Sequence, residues 1–158
     1  MSNKRAFWLL ILAAATATIA SSCTKESGNP DDPKNRLSEY INHSFNARAD
    51  SDRQAMLEFL TGDAKARLAS WSADQFKEAF IDSKRQFLKL VFRETKAVSP
   101  AEVSITYELS YLDQKKGRDT KVTNKKLAQL IKENGKWYVS DVRNIKELIE
   151  YQNEISLP

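Results

Sequence analysis

The spacing of apolar residues changes part-way along this chain, and that change constrains the fold more than any other feature. Between about residues 35 and 81, apolar side chains recur every three or four positions, as on one face of a helix. From Phe87 onward the spacing falls to two. It is clearest over Val103–Tyr111, where Val, Ile, Tyr, Leu and Tyr alternate with polar residues. Helices followed by antiparallel strands predict an α+β fold with the helices packed on one face of a sheet.

Four helical segments are predicted in the first half of the chain. The first extends from about Asn35 to Ala49. Gly62 separates the second from the third and is expected to cap the C-terminus of the second. Ser72 and Gln75 fit a capping box, in which each side chain accepts from the backbone N–H of the other, so the fourth helix is expected to begin there.

Four strands are predicted to follow, at about residues 87–95, 103–111, 120–133 and 136–142. Asn134-Gly135 is typical of a type I′ turn, so the last two strands are expected to form a hairpin. The apolar alternation of the third strand is imperfect, and a bulge near Leu127 is therefore expected. Apolar residues within 145–149 predict a short closing helix.

The only cysteine, Cys23, follows a segment with the three parts of a secretory signal. Lys4 and Arg5 form the basic start, an apolar run of 14 residues extends from Phe7 to Ala20, and small residues lead to the cysteine. The run is shorter than the roughly 20 residues that cross a bilayer. Two alternatives stay open: a permanent transmembrane helix, and secretion with cleavage near Ser22 that leaves a free thiol.

The segment Ile19-Ala20-Ser21-Ser22-Cys23 resembles the bacterial lipobox, with Ala20 where most lipoboxes have Leu. The resemblance implies that residues 1–22 are a removed signal peptide, that the Cys23 thiol receives a diacylglyceryl group, and that the new amino terminus is acylated. Two or more acyl chains anchor a protein stably to a membrane. Thr24, rather than Asp, follows the cysteine, which resembles the default for delivery to the outer membrane. The expected location is the bacterial cell envelope.

Removal of the leader lowers the net charge and leaves one domain. The chain has 25 basic and 21 acidic residues; Lys4 and Arg5 leave with the leader, so 23 basic residues and a net charge of +2 remain. This gives no basis for nucleic-acid binding. Without a second cysteine there is no internal disulfide, so an apolar core must stabilise the fold. We expect residues 23–34 to form a lipidated, flexible tether and residues 35–155 to form the domain.

Three segments resemble the NTF2-like (cystatin-like) superfamily, in particular its small bacterial lipoproteins. They are Phe45–Asp50 at the end of the first helix, Leu60–Lys65 in a short helical run, and Leu130–Val139 in the last hairpin. The resemblance spans about residues 35–145. It implies N-terminal helices packed on a curved antiparallel sheet of about four strands, which together form a cone. It also implies that a homodimer can form through the open sheet face.

Few residues suit catalysis. His43 is the only histidine and is expected to face solvent, so no metal site, cofactor or Cys–His pair is predicted. Enzymes of the NTF2-like superfamily place an acid or histidine inside the cone. Asp141 shares the parity of Trp137 and Val139 and is the candidate inward base. The alternative is that Asp141 is solvated or paired with Lys or Arg at a strand end. Glu108 is expected on the outer face.

Aromatic residues provide the candidate ligand-binding positions. Tyr107, Tyr111, Trp137 and Tyr138 either line a pocket or fill the core, with Tyr111 and Tyr138 expected at a pocket rim. The lysines of the hairpin loop and of 125–126 are expected to be solvated, and contact with anionic headgroups is the alternative.

Three functions therefore stay open. The first is a non-catalytic module, tethered to the membrane through Cys23, that binds a small apolar ligand or an envelope protein. The second is a purely structural envelope lipoprotein that acts through its outer sheet face. The third is an enzyme of the isomerase or dehydratase kind that uses Asp141 as its base. The sequence favours them in that order.

Overall fold

The computed structural model describes residues 31–151 of the chain, so the leader, Cys23 and most of the tether lie outside it. The helices of this part are α1 (Pro33–Asn46), α2 (Asp52–Leu57), α3 (Gly62–Ser70) and α4 (Ala73–Phe76), which continues into a π-helical turn over Lys77–Ile81. The strands are β1 (Arg85–Ser99), β2 (Glu102–Asp113), β3 (Lys121–Glu133) and β4 (Lys136–Glu150). They form one antiparallel sheet in the order β1-β2-β3-β4, and the predicted α+β class is confirmed.

Side-chain caps explain where the helices begin and end. The Asp32 carboxylate accepts from the backbone N–H of Lys34 at 2.9 Å, so α1 starts two residues earlier than predicted. It also ends three residues earlier, because the Asp52 carboxylate accepts from the backbone N–H groups of Arg48 and Ala49 at 2.7 and 2.9 Å. The predicted capping box at the start of α4 is confirmed.

Gly62 does not cap α2 as predicted. It opens α3 with a φ of +52°, and α2 has already ended at Leu57. The reason is a tertiary contact. Leu60 forms a parallel bridge with Val139 of β4, and backbone hydrogen bonds from Val139 to Phe59 and from Thr61 to Val139 hold the chain between α2 and α3 against this strand.

The predicted closing helix is wrong, because β4 continues as a strand to Glu150. Its ladder with β3 extends to the pair Lys121–Glu150, so backbone pairing satisfies the segment that was expected to turn helical. Register shifts leave Ser140 and Ile145 as extra residues in β4. Each extra residue interrupts the period-two pattern, which is why the apolar spacing of this segment imitates a helix.

The bulge expected near Leu127 is absent from the pairing of β3 with β2. That register is continuous from Glu102–Ile131 to Leu112–Lys121. The imperfect alternation of β3 has another cause: Asn124 and Lys126 occupy the face of the strand that also carries buried Val122 and Ala128.

The core lies between the helices and the inner face of the sheet. Leu37 and Ile41 of α1 are buried against it, together with Met56 and Phe76 from the later helices. Every second residue of β2 is buried from Val103 to Asp113. The predicted hairpin turn is confirmed, with φ of +49° at Asn134 and +82° at Gly135. No helix within residues 31–151 has the length and apolarity required to cross a membrane.

Candidate functional site

A cavity of about 280 Å³ lies between the C-terminal half of α1 and the inner face of the sheet. Its apolar wall is formed by Ile41, Phe45, Phe80, Leu109 and Val142. Polar groups line the rest of it, among them Tyr111, Asn124, Lys126, Arg85, Asn144 and Glu147. This mixture of an apolar wall with a few convergent polar groups is typical of small-molecule sites.

The sheet register brings the polar residues together. On β3, Asn124 lies opposite Leu109 of β2 and Glu147 of β4. Two residues along the same face, Lys126 lies opposite Tyr107 and Asn144. Because neighbours across strands share a face, these side chains are presented to the same space beneath α1.

Asn124 has an unsatisfied polar atom. Its side chain is 4% exposed, and its Nδ2 donates to the Tyr111 hydroxyl oxygen at 3.2 Å. Its Oδ1 is buried and has no hydrogen-bond partner among the described residues. A buried acceptor without a partner costs about 1–3 kcal/mol, so a donor that entered the cavity and bonded to this oxygen would relieve that cost.

Lys126 and Arg85 make the cavity cationic. Partial burial lowers the pKa of Lys126, and the nearby positive charge of Arg85 lowers it further, whereas Glu147 acts in the opposite direction. The Arg85 guanidinium lies 5.7 Å from the ring centroids of Phe45 and Tyr111 and donates to the Ala79 carbonyl. With one carboxylate against two cations, the cavity has a net positive charge.

Two phenols stand beside these charges: Tyr107, which is buried, and Tyr40, which is partly buried. Burial raises the pKa of both Tyr40 and Tyr107, so each is a neutral hydroxyl at physiological pH. Tyr107 is fully enclosed and lies opposite Lys126 across the β2–β3 ladder. The phenols therefore add hydrogen-bonding atoms to the cavity wall without adding charge.

The structure divides the four aromatic candidates into two pairs. Tyr107 and Tyr111 line the cavity. Trp137 does not; it is buried elsewhere in the core, and its indole N–H donates to the Asp31 carbonyl at 3.0 Å. Tyr138 is half-buried and lines a separate open groove of about 470 Å³, where the Arg36 guanidinium lies 5.5 Å from its ring centroid.

Asp141 is placed differently from its predicted parity. The extra residue Ser140 takes it out of the alternation with Val139, and it lies opposite Gln129 rather than a core residue. Its carboxylate pairs with Arg67 at 3.0 Å and with Arg143 at 3.2 Å, and it does not line the cavity. This is the paired arrangement that the sequence left as the alternative.

The structure places His43 and Glu108 where the sequence predicts them. His43 is exposed, with its ring 4.9 Å from that of Phe59. Glu108 has the outer parity of β2 and pairs with Arg93. Within residues 31–151, no three metal-ligating side chains come together.

Sequence reasoning missed Asn124, Lys126, Arg85 and Glu147. A usable signal was present in β3, where Val122, Asn124, Lys126, Ala128 and Leu130 alternate with period two. Two polar residues within an otherwise apolar parity predict polar groups on the inner face. The same two residues make the apolar alternation imperfect, which is why the sequence also predicts a bulge there.

A second, more open groove of about 980 Å³ lies between α1 and the edge strand β1. Phe87 and Leu88 line it, and each is a little under half exposed. Asn124 and Lys126 do not line this groove. The cavity beneath α1 is therefore the stronger candidate site.

Comparison with known proteins gives the fold alone. No protein-family model matches the chain, and no curated protein matches it. The chain is similar to the solved structure of a SEC-C motif containing protein from Rhodopseudomonas palustris, with a TM-score of 0.55 and 15% identity over 75% of this chain and 83% of that one. It is also similar to the intermembrane space region of the chloroplast protein ARC6, with a TM-score of 0.51 and 13% identity over 72% of this chain and 95% of that one.

Replacing Lys126 with methionine is expected to stabilise the protein by about 1 kcal/mol at pH 7, because it removes a partly buried charge. The lowered pKa fixes the pH dependence. The cost of burying the charged Lys126 is fully present below its folded-state pKa and disappears as the pH rises towards its unfolded-state pKa. The difference in the free energy of unfolding between the variant and the wild type should therefore shrink by pH 10. Urea titrations of the full chain at both pH values measure it.

Lys125 is the matched control, since it is the adjacent lysine but lies exposed on the outer face. Lys125→Met should change the free energy of unfolding by less than about 0.5 kcal/mol. A loss of stability in Lys126→Met would contradict the assignment of Lys126 to a desolvated position.

Proposed function

We propose that this protein is a lipid-anchored component of the bacterial envelope, delivered to the outer membrane, whose NTF2-like domain binds a small ligand without catalysing a reaction. The observation that carries the proposal is the cavity beneath α1, with an unsatisfied amide oxygen and two cations on its wall. Residues used only to fill a core pack closely and leave few polar atoms unpaired.

Two features support the NTF2-like cone. All the described helices precede the sheet in the chain, and α1 packs against both of its edge strands, β1 and β4. Register shifts occur at three points between β1 and β2 and at two points between β3 and β4. Bulges bend strands and increase their twist, so extra residues near both edges favour a sheet that curves around α1.

The lipid anchor rests on the sequence around Cys23. The apolar run before it, the small residues next to it and the polar tether after it are those of a lipobox and its spacer. The anchor would hold the cavity close to a membrane surface, where small hydrophobic and amphiphilic molecules are concentrated.

The position of Asp141 favours a binding module over an enzyme that uses this residue as its base. Two guanidinium groups, those of Arg67 and Arg143, hold its carboxylate in ion pairs. A base must also lie within hydrogen-bond reach of the proton that it abstracts, and Asp141 lies outside the cavity.

Replacing Ser44 with phenylalanine tests the cavity directly. Ser44 is half-buried on α1 and lines the cavity, so a phenyl ring at this position is expected to occupy the space. The full chain, purified from bacterial membranes into nanodiscs, would be titrated with probes built on one skeleton: 4-methylpentanoate, 4-methylpentanamide, 4-methylpentanol and 4-methylpentylamine. Ligand-observed NMR should detect binding of at least one probe to the wild type and of none to Ser44→Phe.

The matched control is Ser104→Phe, on the outer face of β2. It should bind the same probes as the wild type. Both variants should keep a melting temperature within a few degrees of the wild type. Failure of every probe to bind the wild type, or equal binding to Ser44→Phe, would overturn the proposal.

A further inference from the structure

We propose that the cavity binds a small carboxylic acid that carries a hydrogen-bond donor on the carbon next to the acid group. Lys126 and Arg85 would hold the carboxylate, and the Asn124 Oδ1 would accept from the donor. This inference rests on the proposed function, because it takes the cavity beneath α1 to be the binding site and names the class of its ligand.

The charge balance of the cavity requires an anion. Within residues 31–151, neither Lys126 nor Arg85 forms an ion pair, although both line the cavity. Glu147 also lines it but supplies a single negative charge. Arg85 presents a planar fork of donors that matches the two oxygens of a carboxylate, and Lys126 adds a point charge.

The unsatisfied amide requires a donor. Asn124 is 96% buried, and its Oδ1 has no partner in the described part of the chain. The side-chain Nδ2 of Asn124 already donates to the Tyr111 hydroxyl oxygen. A carboxylate alone offers no proton to this oxygen, so the ligand group that would pair with it is a hydroxyl, an amide N–H or an ammonium.

The spacing of Asn124 and Lys126 places the hydrogen-bond donor of the ligand next to its acid group. Asn124 and Lys126 lie two residues apart on one face of β3, which puts their Cα atoms about 7 Å apart. Both side chains are directed into the same small cavity, so their polar ends serve neighbouring atoms of one ligand. Hydroxy acids, N-acyl amino acids and free amino acids share this chemistry.

The apolar wall limits the rest of the ligand. Ile41, Phe45, Leu109 and Val142 surround the remaining space. A volume of about 280 Å³ is close to the lower end of the range for ligand pockets, so the apolar body is a short branched or unbranched chain rather than a long acyl chain.

The test uses probes that share one carbon skeleton. 2-Hydroxy-4-methylpentanoate, N-acetyl-leucine and leucine combine the acid with a hydroxyl, an amide N–H and an ammonium donor. 4-Methylpentanoate has the acid alone, and 2-hydroxy-4-methylpentanamide has the donor without the charge. Each would be titrated by calorimetry into the full chain in nanodiscs. At least one donor-bearing acid should bind about tenfold more tightly than 4-methylpentanoate and than the uncharged amide.

Two variants assign the contacts. Lys126→Met should weaken binding of every acid by about tenfold or more, and Lys125→Met should leave it unchanged. Asn124→Leu should weaken the donor-bearing acids by about tenfold and leave 4-methylpentanoate unaffected. Whichever of the three donor-bearing acids binds most tightly identifies the ligand as a hydroxy acid, an N-acyl amino acid or a free amino acid.

The outcomes separate this inference from the proposed function. If the uncharged amide, 4-methylpentanol or 4-methylpentylamine binds as tightly as the acids, and Ser44→Phe abolishes that binding, the cavity is a binding site and the assignment of an acid is wrong. The assignment is also wrong if Lys126→Met and Lys125→Met bind the acids equally. If no probe binds the wild type, the proposed function itself fails.

Discussion

Replacing Cys23 with serine is expected to remove all covalent lipid from the protein made in a bacterial host. A serine hydroxyl cannot form the thioether that carries the diacylglyceryl group, and acylation of the new amino terminus follows only after the leader is removed. The membrane affinity at stake is large, because each buried methylene contributes about 0.8 kcal/mol and two or more chains hold a protein stably. Cys23 lies outside the described residues, so this prediction rests on the sequence.

The measurement combines metabolic labelling with an alkyne fatty acid and the intact mass of the purified protein. Wild type should incorporate the label and have the mass of a chain that begins at Cys23, plus the acyl groups. The Cys23→Ser chain should remain unlabelled. Recovery in the membrane fraction is a poorer readout, since an uncleaved leader can hold the variant there. Ser22→Ala keeps a small residue beside the cysteine and should be labelled like the wild type. A wild-type mass with unmodified Cys23 would refute the anchor.

Replacing Phe76 with alanine should lower the free energy of unfolding by about 3–5 kcal/mol. Phe76 is 0% exposed in α4, its ring centroid is 5.0 Å from that of Phe80, and the Arg53 guanidinium lies 5.4 Å from it. The change removes most of a fully buried aromatic ring and leaves a hole that the sheet cannot fill. For a domain stabilised by about 5–15 kcal/mol, this is a large fraction of the total.

Phe87 provides the control, because it is the same residue type but is 45% exposed on β1. Phe87→Ala should cost about 1 kcal/mol or less. Urea unfolding of the full-length variants, followed by tryptophan fluorescence, compares them. Equal losses for the two substitutions would mean that the helices after α1 do not pack on the sheet as described.

The sequence predicted β2 accurately because the pattern that indicates this strand lies entirely within it. Each of its core residues is separated from the next by one polar residue, and its register with β3 has no interruption. The capping box and the Asn134-Gly135 turn are equally local, since each depends on hydrogen bonds or backbone angles within four residues. Features of this kind can be predicted from one sequence.

The errors arose where a distant partner decides the local structure. β4 stays extended to Glu150 because β3 pairs with it, and its extra residues Ser140 and Ile145 give the apolar positions a helical spacing. Gly62 was misplaced because Leu60 pairs with Val139, 79 residues further along the chain. No short stretch of sequence around either segment contains the distant strand residues that decide its structure.

The candidate site was only partly predictable for the same reason. Tyr107 and Tyr111 were named from their parity, and Asn124 and Lys126 could have been named by the same rule. Arg85 and Glu147 could not, because Arg85 begins a strand and Glu147 follows both bulges of β4. Their approach to the cavity depends on the assembled sheet and on α1 packing over it.

The most direct test of the account is a carbon-13-edited nuclear Overhauser spectrum of the methyl-labelled full chain in nanodiscs with the tightest-binding six-carbon probe. The account predicts cross-peaks between the probe methyls and those of Ile41, Leu109 and Val142, which line the cavity. Cross-peaks to the outer-face residues Leu127, Ile131 and Leu148 instead, or none to any protein methyl, would contradict the claim that a ligand binds beneath α1.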